Sequence, residues 1–349
     1  MTLSLTQPAV GSTNWGTTVN VNWQLIQDML NGCLVNPVIN GGFDYFQRTT
    51  PGTYTTISDN KYGPDRWRST RQTADIQTVR FDGTGVSGLN SKNYGGFKQI
   101  TAAGKFHVSQ WIENVDSIPR LSRTVTFQIK MKATSAKTIR IGLMENQAAG
   151  TADSIPATLV TSWNANGTNP TLATNIAIIG IETVCSVTTN FSIFSCSVTV
   201  PSNSKNIAVA LWTDSQFNAN DELHVAEAGL YNGSSTETPN WYPRSIQQEF
   251  ELCQRYFEKS YDPDVLPGTS TSTGRIFCRN YAAVATDTYH MAQFKCTKRV
   301  IPTITTYEAS TGTSGYLNVD NIGTYQGLLW KNMPTATVFD GQWTADSDM

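Results

Sequence analysis

The sequence predicts an all-β protein with an antiparallel two-sheet sandwich, a short helix near the N-terminus, one junction helix and a small C-terminal β domain. Apolar and polar residues alternate with a period of two over many short runs, which is typical of half-buried strands. Charged residues make up 15% of the chain, against about 25% in an ordinary soluble domain. Serine, threonine and asparagine therefore have to cover the outer faces of the predicted sheets. The length of 349 residues favours more than one domain.

Residues 1–32 are predicted to form a separate segment with one short amphipathic helix. Four of its apolar residues fall on one helical face, and together with an upstream tryptophan they are the candidate anchor residues Trp15, Val21, Leu25, Met29 and Leu30. An isolated helix of this length is marginal in water, so the segment needs a partner. That partner is either the body of its own domain or an external docking surface shared with copies of itself.

Residues 33–245 are predicted to form the sandwich. The inward residues of its clearest strands are Val125, Phe127, Ile129 and Met131, then Ile139, Ile141 and Leu143, then Phe194, Cys196, Val198 and Val200, then Ile207, Val209 and Leu211. Proline, asparagine, aspartate and glycine bound each strand, and no helical pattern lies between them. Short strands at this spacing favour two packed antiparallel sheets.

Residues 246–349 are predicted to form a junction helix and a β-rich C-terminal domain. Ser245 can cap the helix, and Gln248 can return the hydrogen bond three residues later. The spacing of Ile246, Phe250, Cys253 and Phe257 predicts one inward apolar stripe, with Gln247, Glu251 and Lys259 pointing away from it. Residues 262–349 return to strand patterning. Their predicted core is thin, so pairing with other subunits is expected to stabilise them.

Charge and composition exclude several classes of partner and cofactor. The formal net charge is −2 with no basic cluster, so we expect no nucleic-acid partner. No apolar stretch approaches about 20 residues, so we expect no membrane insertion. The six cysteines and three histidines lack the spacing of metal ligands, and we expect no metal and no cofactor. Cys185 and Cys196 could face each other across a hairpin, although spacing alone does not settle whether they pair.

The sequence contains no recognisable catalytic motif, so we expect no enzymatic activity and assign no catalytic residue. The histidines lie outside any nucleophile turn of the GxSxG type. A glycosidase needs two carboxylates on either side of the bond that it cleaves. Asp44, Glu113, Asp214 or Glu227 could belong to such a pair, so polysaccharide hydrolysis stays open as an alternative.

Sugar binding requires aromatic rings that stack on a pyranose, beside amide and carboxylate groups for its hydroxyls. The sequence contains nine tryptophans. Trp163, Trp330 and Trp343 have loop-like surroundings and are the candidate exposed platforms, whereas Trp67, Trp111 and Trp212 lie in strand-like contexts and are expected in the core. The platform residues could equally be ordinary surface or subunit-interface aromatics.

Two segments carry a resemblance to a known family. One is Asn36-Pro-Val-Ile-Asn-Gly-Gly-Phe-Asp-Tyr-Phe-Gln-Arg48, followed by Tyr62-Gly-Pro-Asp-Arg-Trp-Arg68, and the other runs from Thr238-Pro239 through Tyr242 and Arg244 to Glu249 and the stretch Leu252–Ser260. These segments resemble motifs of bacteriophage tail and head fibre proteins. Tyr45-Phe46 replaces the family's Ile-Trp and no glycine follows Arg48, which indicates a divergent member. The stretch from Trp15 to Ile26 is similar to the N-termini of many phage structural proteins.

The resemblance implies a virion protein that is made in the bacterial cytoplasm. It implies a jelly-roll form for the sandwich, attachment of residues 1–32 to tail, portal or capsid proteins, and binding of the C-terminal domain to a glycan on the host surface. A homotrimer is the expected assembly. The alternatives are a tailspike-like polysaccharide hydrolase and a head fibre that decorates the capsid and has no receptor role.

Overall fold

A computed structural model describes residue 19 and residues 36–73, 75–234, 241–282, 284–335 and 337–349 of the chain. The candidate anchor residues Trp15, Val21, Leu25, Met29 and Leu30 lie outside these ranges, as do Cys33, Thr238 and Pro239. Within the described ranges, no helix has both the length and the apolar character needed to cross a membrane.

Strands make up most of the regular structure. The strands of the trunk (residues 36–234) are β1 (Thr55–Ile57), β2 (Lys61–Tyr62), β3 (Arg68–Arg71), β4 (Ile76–Asp82), β5 (Asn93–Gln99), β6 (Phe106–Ile112), β7 (Thr124–Ala133), β8 (Lys137–Asn146), β9 (Val160–Ser162), β10 (Thr171–Leu172), β11 (Ile176–Ile178), β12 (Thr183–Val187), β13 (Ser192–Thr199), β14 (Asn206–Thr213) and β15 (Glu222–Asn232). Between β6 and β7, the helical turn α1 (Asn114–Ser117) continues into a 3₁₀ turn (Ile118–Arg120). Helix α2 (Ile246–Gln254) leads from the trunk to the C-terminal unit (residues 257–349). The strands of the C-terminal unit are β16 (Phe257–Lys259), β17 (Ile276–Arg279), β18 (Thr286–Gln293), β19 (Thr303–Glu308), β20 (Asn318–Asp320), β21 (Gln326–Met333) and β22 (Val338–Asp346).

The trunk is a sandwich of two antiparallel sheets. The first sheet has the order β1-β4-β5-β15-β7-β13, and the second has the order β11-β8-β14-β6-β3-β2, with β12 also paired to β8. Successive strands from β5 to β8, and again from β12 to β15, change sheet at every step. Consecutive strands that alternate between two packed antiparallel sheets form a jelly roll. The predicted all-β jelly-roll sandwich is therefore confirmed.

The main core lies between the two sheets. Every inward residue predicted from the alternating pattern is buried there except Phe194, which is half-buried at the margin. Cys185 and Cys196 do not form the hairpin that their spacing left open, because β12 belongs to the second sheet and β13 to the first. Both thiols are free and buried, and burial raises the pKa of Cys185 to about 12.

A second core lies on the outer side of the second sheet. Trp111, Ala208 and Trp212 point outward from β6 and β14, and residues 155–173, here called the roof, pack over them through Leu159 and neighbouring apolar side chains. Two basic side chains at the second sheet donate hydrogen bonds to backbone carbonyls of the roof. Lys105 Nζ donates to the carbonyls of Asn164 and Ala165 at 3.0 Å, and Arg140 donates to the carbonyl of Gly167 at 2.7 Å. The tryptophans predicted as core, Trp67, Trp111 and Trp212, are all buried.

Helix α2 begins at the predicted cap and buries a different face from the one predicted. Ser245 Oγ accepts a hydrogen bond from the Gln248 backbone N–H at 3.3 Å. Ile246 is 71% exposed, however, and Glu249 is buried in its place, because the Glu249 carboxylate binds Arg244 at 2.9 Å and accepts from the Asn40 backbone. Cys253 is buried as predicted. The predicted stripe is therefore wrong at its first position.

The far end of the predicted stripe is also different. The helix ends at Gln254, so Phe257 lies on β16 and not on α2. Lys259, predicted to point away, is buried: its ammonium donates to the carbonyls of Gln47, Pro263 and Val265 at 2.5–2.8 Å. Burial lowers the pKa of Lys259 to about 8. The helical spacing therefore does not extend to Phe257 and Lys259, which lie on the strand β16.

The residues that carry the family resemblance meet where the trunk joins α2. The Asn40 side chain donates to the carbonyls of Tyr45 at 2.8 Å and Asp65 at 3.1 Å. Trp67 Nε1 donates to the Asn40 carbonyl at 3.1 Å, and Gln47 donates to the Asp65 carboxylate at 2.6 Å. These motif residues hold the junction together.

The C-terminal unit contains two small sheets and is bound to the trunk by ion pairs. One sheet has the order β16-β22-β17 with β19 also paired to β22, and the other has the order β18-β21-β20. Arg48 binds Asp346 at 3.1 Å and Arg66 binds Asp348 at 2.9 Å. Arg255, directly after α2, binds Glu113 of the trunk at 2.8 Å. The Arg66 guanidinium also lies 3.5 Å from the centre of the Tyr256 ring. Several buried or partly buried charges thus fix the two units together.

Candidate functional site

The three tryptophans predicted as exposed platforms lie in three different environments. Trp343 is 5% exposed and packs against Phe294, with ring centroids 5.6 Å apart, so its predicted exposure is wrong. Trp163 is half-buried in the roof, directly after β9. Trp330 is half-buried on β21, on the outer side of the sheet β18-β21-β20. The structure therefore leaves Trp330 as the platform with an open sheet face around it.

Trp330 belongs to a group of apolar side chains on that outer side. Antiparallel pairing places Tyr289 opposite Trp330 and Met291 opposite Leu328. The rings of Tyr289 and Trp330 have centroids 6.3 Å apart and planes inclined by 39°. Tyr289 is 55% exposed and Met291 is 49% exposed. We call this outer side of the three-stranded sheet the bare face.

Polar side chains surround the apolar group on the bare face. Asn318 lies opposite Trp330 on β20, and Gln293 lies opposite Gln326 at the other end of the β18–β21 pair. Asn332 donates to the Asp287 carboxylate at 2.8 Å, and all these polar residues are exposed. The charged residues of the face are the acidic Asp287 and Asp320. Such a surface offers rings for stacking and amides and carboxylates for hydroxyl groups.

The inner side of the same sheet makes the bare face rigid. Leu329 and Ala292 are fully buried in the core of the C-terminal unit, alongside Trp343 and Phe339. Burial also lowers the pKa of His290, which alternates with Tyr289 and Met291 on β18 and points inward. Residues on strands with a packed underside hold their position better than residues on loops.

The sequence pattern did not single out Tyr289 or Met291, although a signal was present. Both alternate with the smaller or more polar residues of β18 in the order expected of a strand with one exposed apolar side. The pairing with β21 decides which of the alternating residues of β18 face solvent and which face the core.

A second aromatic cluster lies on the outer side of the trunk's first sheet. Phe81 stacks on Tyr94 with centroids 5.0 Å apart and contacts His224 at 5.2 Å. Lys132 lies 5.2 Å from the centre of the Tyr94 ring, and Tyr94 is 8% exposed. These rings already contact one another and a lysine, so they offer less free surface than Tyr289 and Trp330.

Each of the four carboxylates considered for glycosidase chemistry binds a different side chain. Glu113 binds Arg255 and Tyr256, and although burial opposes it, these hydrogen bonds keep the pKa of Glu113 below its usual value. Asp214 binds Arg140 at 2.6 Å. Glu227 binds Lys130 at 2.7 Å, and Asp44 accepts from the Asn93 side chain at 2.7 Å. Each of the four therefore already has a local partner.

Comparisons with known proteins give weak likenesses. No family model and no curated protein matches the chain. Among solved structures, the enzymatically active domain of bacteriophage CBA120 tailspike protein 4 matches 57% of this chain with 11% identity and a TM-score of 0.36, and the match spans 22% of that longer chain. The carbohydrate-binding module TmCBM61, in complex with beta-1,4-galactotriose, matches 57% of this chain and 99% of its own, with 10% identity and a TM-score of 0.33.

A third likeness is to the family 11 carbohydrate-binding module from Clostridium thermocellum in complex with a beta-1,3-1,4-mixed-linked tetrasaccharide. It matches 51% of this chain and 95% of its own, with 10% identity and a TM-score of 0.32. The neighbours are thus a phage tailspike and carbohydrate-binding modules. At this level of similarity they indicate no site and no ligand for this chain.

Proposed function

We propose that this chain is a non-catalytic subunit of a bacteriophage tail fibre or spike and that it binds a glycan on the host surface through the bare face. The observation that carries the proposal is the pair of rings Tyr289 and Trp330, side by side on an exposed sheet and surrounded by amide groups. The carbon face of a pyranose stacks on such rings while its hydroxyls bind the amides. The two acidic residues favour a neutral glycan over an acidic one.

The proposed assembly is a homotrimer. A shallow face of this kind binds weakly, and a millimolar site gives only about −4 kcal/mol. Linked copies raise the apparent affinity by ~10²–10⁴ without any new contact. Three copies of the bare face on one fibre would therefore be sufficient for stable adsorption.

The proposed attachment to the virion is through residues 1–32, which dock on a tail, portal or capsid protein. The sequence predicts four apolar residues on one face of a short helix, and we infer that this helix packs on an external partner. We expect a chain that lacks residues 1–32 to remain folded and oligomeric but to be absent from particles assembled by complementation. Normal incorporation of the truncated chain would contradict the attachment.

The glycan proposal is tested with an array of bacterial surface polysaccharides, probed with the full chain and with Tyr289→Ala. Tyr281→Ala is the matched control, because Tyr281 is 84% exposed and lies outside the bare face. We expect binding that Tyr289→Ala abolishes and that Tyr281→Ala preserves, without new reducing ends in the bound polysaccharide. New reducing ends would instead identify a hydrolase. Binding to no polysaccharide would favour a capsid-decorating protein.

A further inference from the structure

A large cleft lies between the trunk and the C-terminal unit, away from the bare face. Its volume is about 870 Å³, toward the upper end of the ~300–1,000 Å³ that is usual for ligand sites. One wall is the side of the sheet β16-β22-β19 that faces the trunk, and it presents Thr303, Thr305, Tyr307 and Thr344. The opposite wall is the trunk turn from Asp59 to Tyr62 together with part of the roof.

Contacts within the protein already hold the walls of the cleft in place, so the walls would not have to move when a ligand binds. Arg48 lies at the base, where it binds Asp346 at 3.1 Å and stacks on the Phe257 ring at 3.8 Å. Arg68 is buried in the opposite wall and donates to the Pro156 carbonyl at 3.0 Å and to Asn60 at 3.2 Å. A site whose walls are fixed before binding avoids much of the cost of ordering them.

The side chains that line the cleft suit a ligand that is rich in hydroxyl groups and carries no charge. Thr303 and Thr305 lie two residues apart on one side of β19, and Thr344 lies opposite Thr305 on β22. The hydroxyls of these three residues, here called the threonine row, hydrogen-bond to no other described residue. Tyr307 adds a half-buried ring at the end of the row. The lining contains three basic residues, Arg48, Lys61 and Arg68, and three acidic residues, Asp59, Asp346 and Asp348. This balance gives no preference for a polyanion.

We propose that the cleft is a second saccharide site, which takes a short segment of a neutral oligosaccharide between the threonine row and the Asp59–Tyr62 turn. The Tyr307 ring and Leu266 contact the carbon face of the sugar, and the threonine hydroxyls both donate to and accept from its hydroxyl groups. The site goes beyond the function proposed for the bare face, because it uses other residues and joins both units of the chain.

The test is isothermal titration of the full chain with maltotetraose, cellotetraose and xylotetraose as neutral probes and tetragalacturonate as the acidic probe. We expect at least one neutral probe to bind, and Thr305→Trp to weaken that binding at least tenfold by filling the cleft. Thr199→Trp is the matched control, since Thr199 is exposed on the trunk strand β13. Both variants are also titrated in a Trp330→Ala background, which removes the bare face from the measurement and so isolates binding at the cleft.

Several outcomes overturn the cleft site. Absence of binding by every neutral probe does so, as does tighter binding of tetragalacturonate. Binding that survives Thr305→Trp but disappears in Trp330→Ala would assign the saccharide to the bare face alone. If Thr305→Trp lowers the melting temperature, Thr303→Trp replaces it, because Thr303 is exposed at the mouth of the same row. Full affinity in a folded Thr303→Trp chain would then overturn the proposal.

Discussion

The outer side of the trunk's second sheet and the bare face of the C-terminal unit both carry a tryptophan on an outward-pointing strand position. Over Trp212 the chain has folded the roof, so this ring is 1% exposed and its Nε1 donates to Asn169 at 3.3 Å. Over Trp330 there is no such cover among the described residues, and the neighbouring Tyr289 is 55% exposed.

The difference shows that the position of a tryptophan on a sheet does not decide its role. An outward ring becomes core when another segment of the same chain covers it, as residues 155–173 cover Trp111 and Trp212. Without that cover the same kind of position becomes a surface for a ligand or a partner. We therefore expect the two tryptophans to respond to substitution in opposite ways.

The largest expected effect is on the covered side. Trp212→Ala removes a fully buried ring and leaves a cavity under the roof, so the free energy of unfolding should fall by about 3–5 kcal/mol. Chemical denaturation monitored by circular dichroism measures this loss. A change below about 1 kcal/mol would show that the roof does not depend on the ring.

The next effect is a pH dependence that belongs to the covered side. His107 is fully buried next to Trp212, and burial, with a smaller contribution from the charge of Arg68, lowers its pKa to about 3. As the pH falls below the ordinary histidine pKa of about 6.5, His107 becomes protonated in the unfolded chain but stays neutral in the folded chain. Stability should therefore be constant with respect to this group above pH 6.5 and fall as pH drops toward 3, by up to about 1.4 kcal/mol per pH unit.

Denaturation curves of the wild-type chain and His107→Leu between pH 7 and pH 4 isolate this dependence. We expect the difference in unfolding free energy between the two chains to shift steadily in favour of His107→Leu as the pH falls. Parallel curves across that range would show that His107 is able to take up a proton in the folded state.

A smaller effect is expected where the cover is partial. Phe250 on α2 is half-buried and stacks on Tyr45 with centroids 4.8 Å apart. The inward stripe predicted from the sequence would bury Phe250 fully, and replacing a fully buried phenylalanine by alanine costs about 3–5 kcal/mol. With one side open, we expect a loss of about 1–2 kcal/mol in the same denaturation experiment. A loss as large as that of Trp212→Ala would mean that another surface covers Phe250 in solution.

The fold of the trunk could be predicted from the sequence because its strands keep a strict period of two and their inward residues are consistently apolar. The roof could not be predicted in this way. In β6, His107 and Ser109 alternate with Phe106 and Val108 and look solvent-exposed, although both are fully buried. Only the packing of a distant segment over the sheet explains their burial.

The candidate site was predicted in part, for a related reason. Trp330, predicted in loop-like surroundings, lies half-buried on strand β21, and Trp343, which has polar neighbours on both sides and resembles a loop residue, is buried. Pairing of β22 with β16 and β19 turns Trp343 inward and turns Thr344 toward the cleft. The phase of a short strand is set by its partners, and the cleft arises from the docking of two units that lie far apart in sequence.

The most direct test of the bare face is a paired measurement on Trp330→Ala: affinity for a polysaccharide that the wild-type chain binds, and thermal unfolding in the same buffer. We predict binding at least tenfold weaker, equivalent to about 1.4 kcal/mol, with a melting temperature within about 2 °C of the wild type. Unchanged affinity would contradict the account. So would a lowered melting temperature with dissociation of the oligomer and full binding by the remaining species, which would make the bare face a subunit interface.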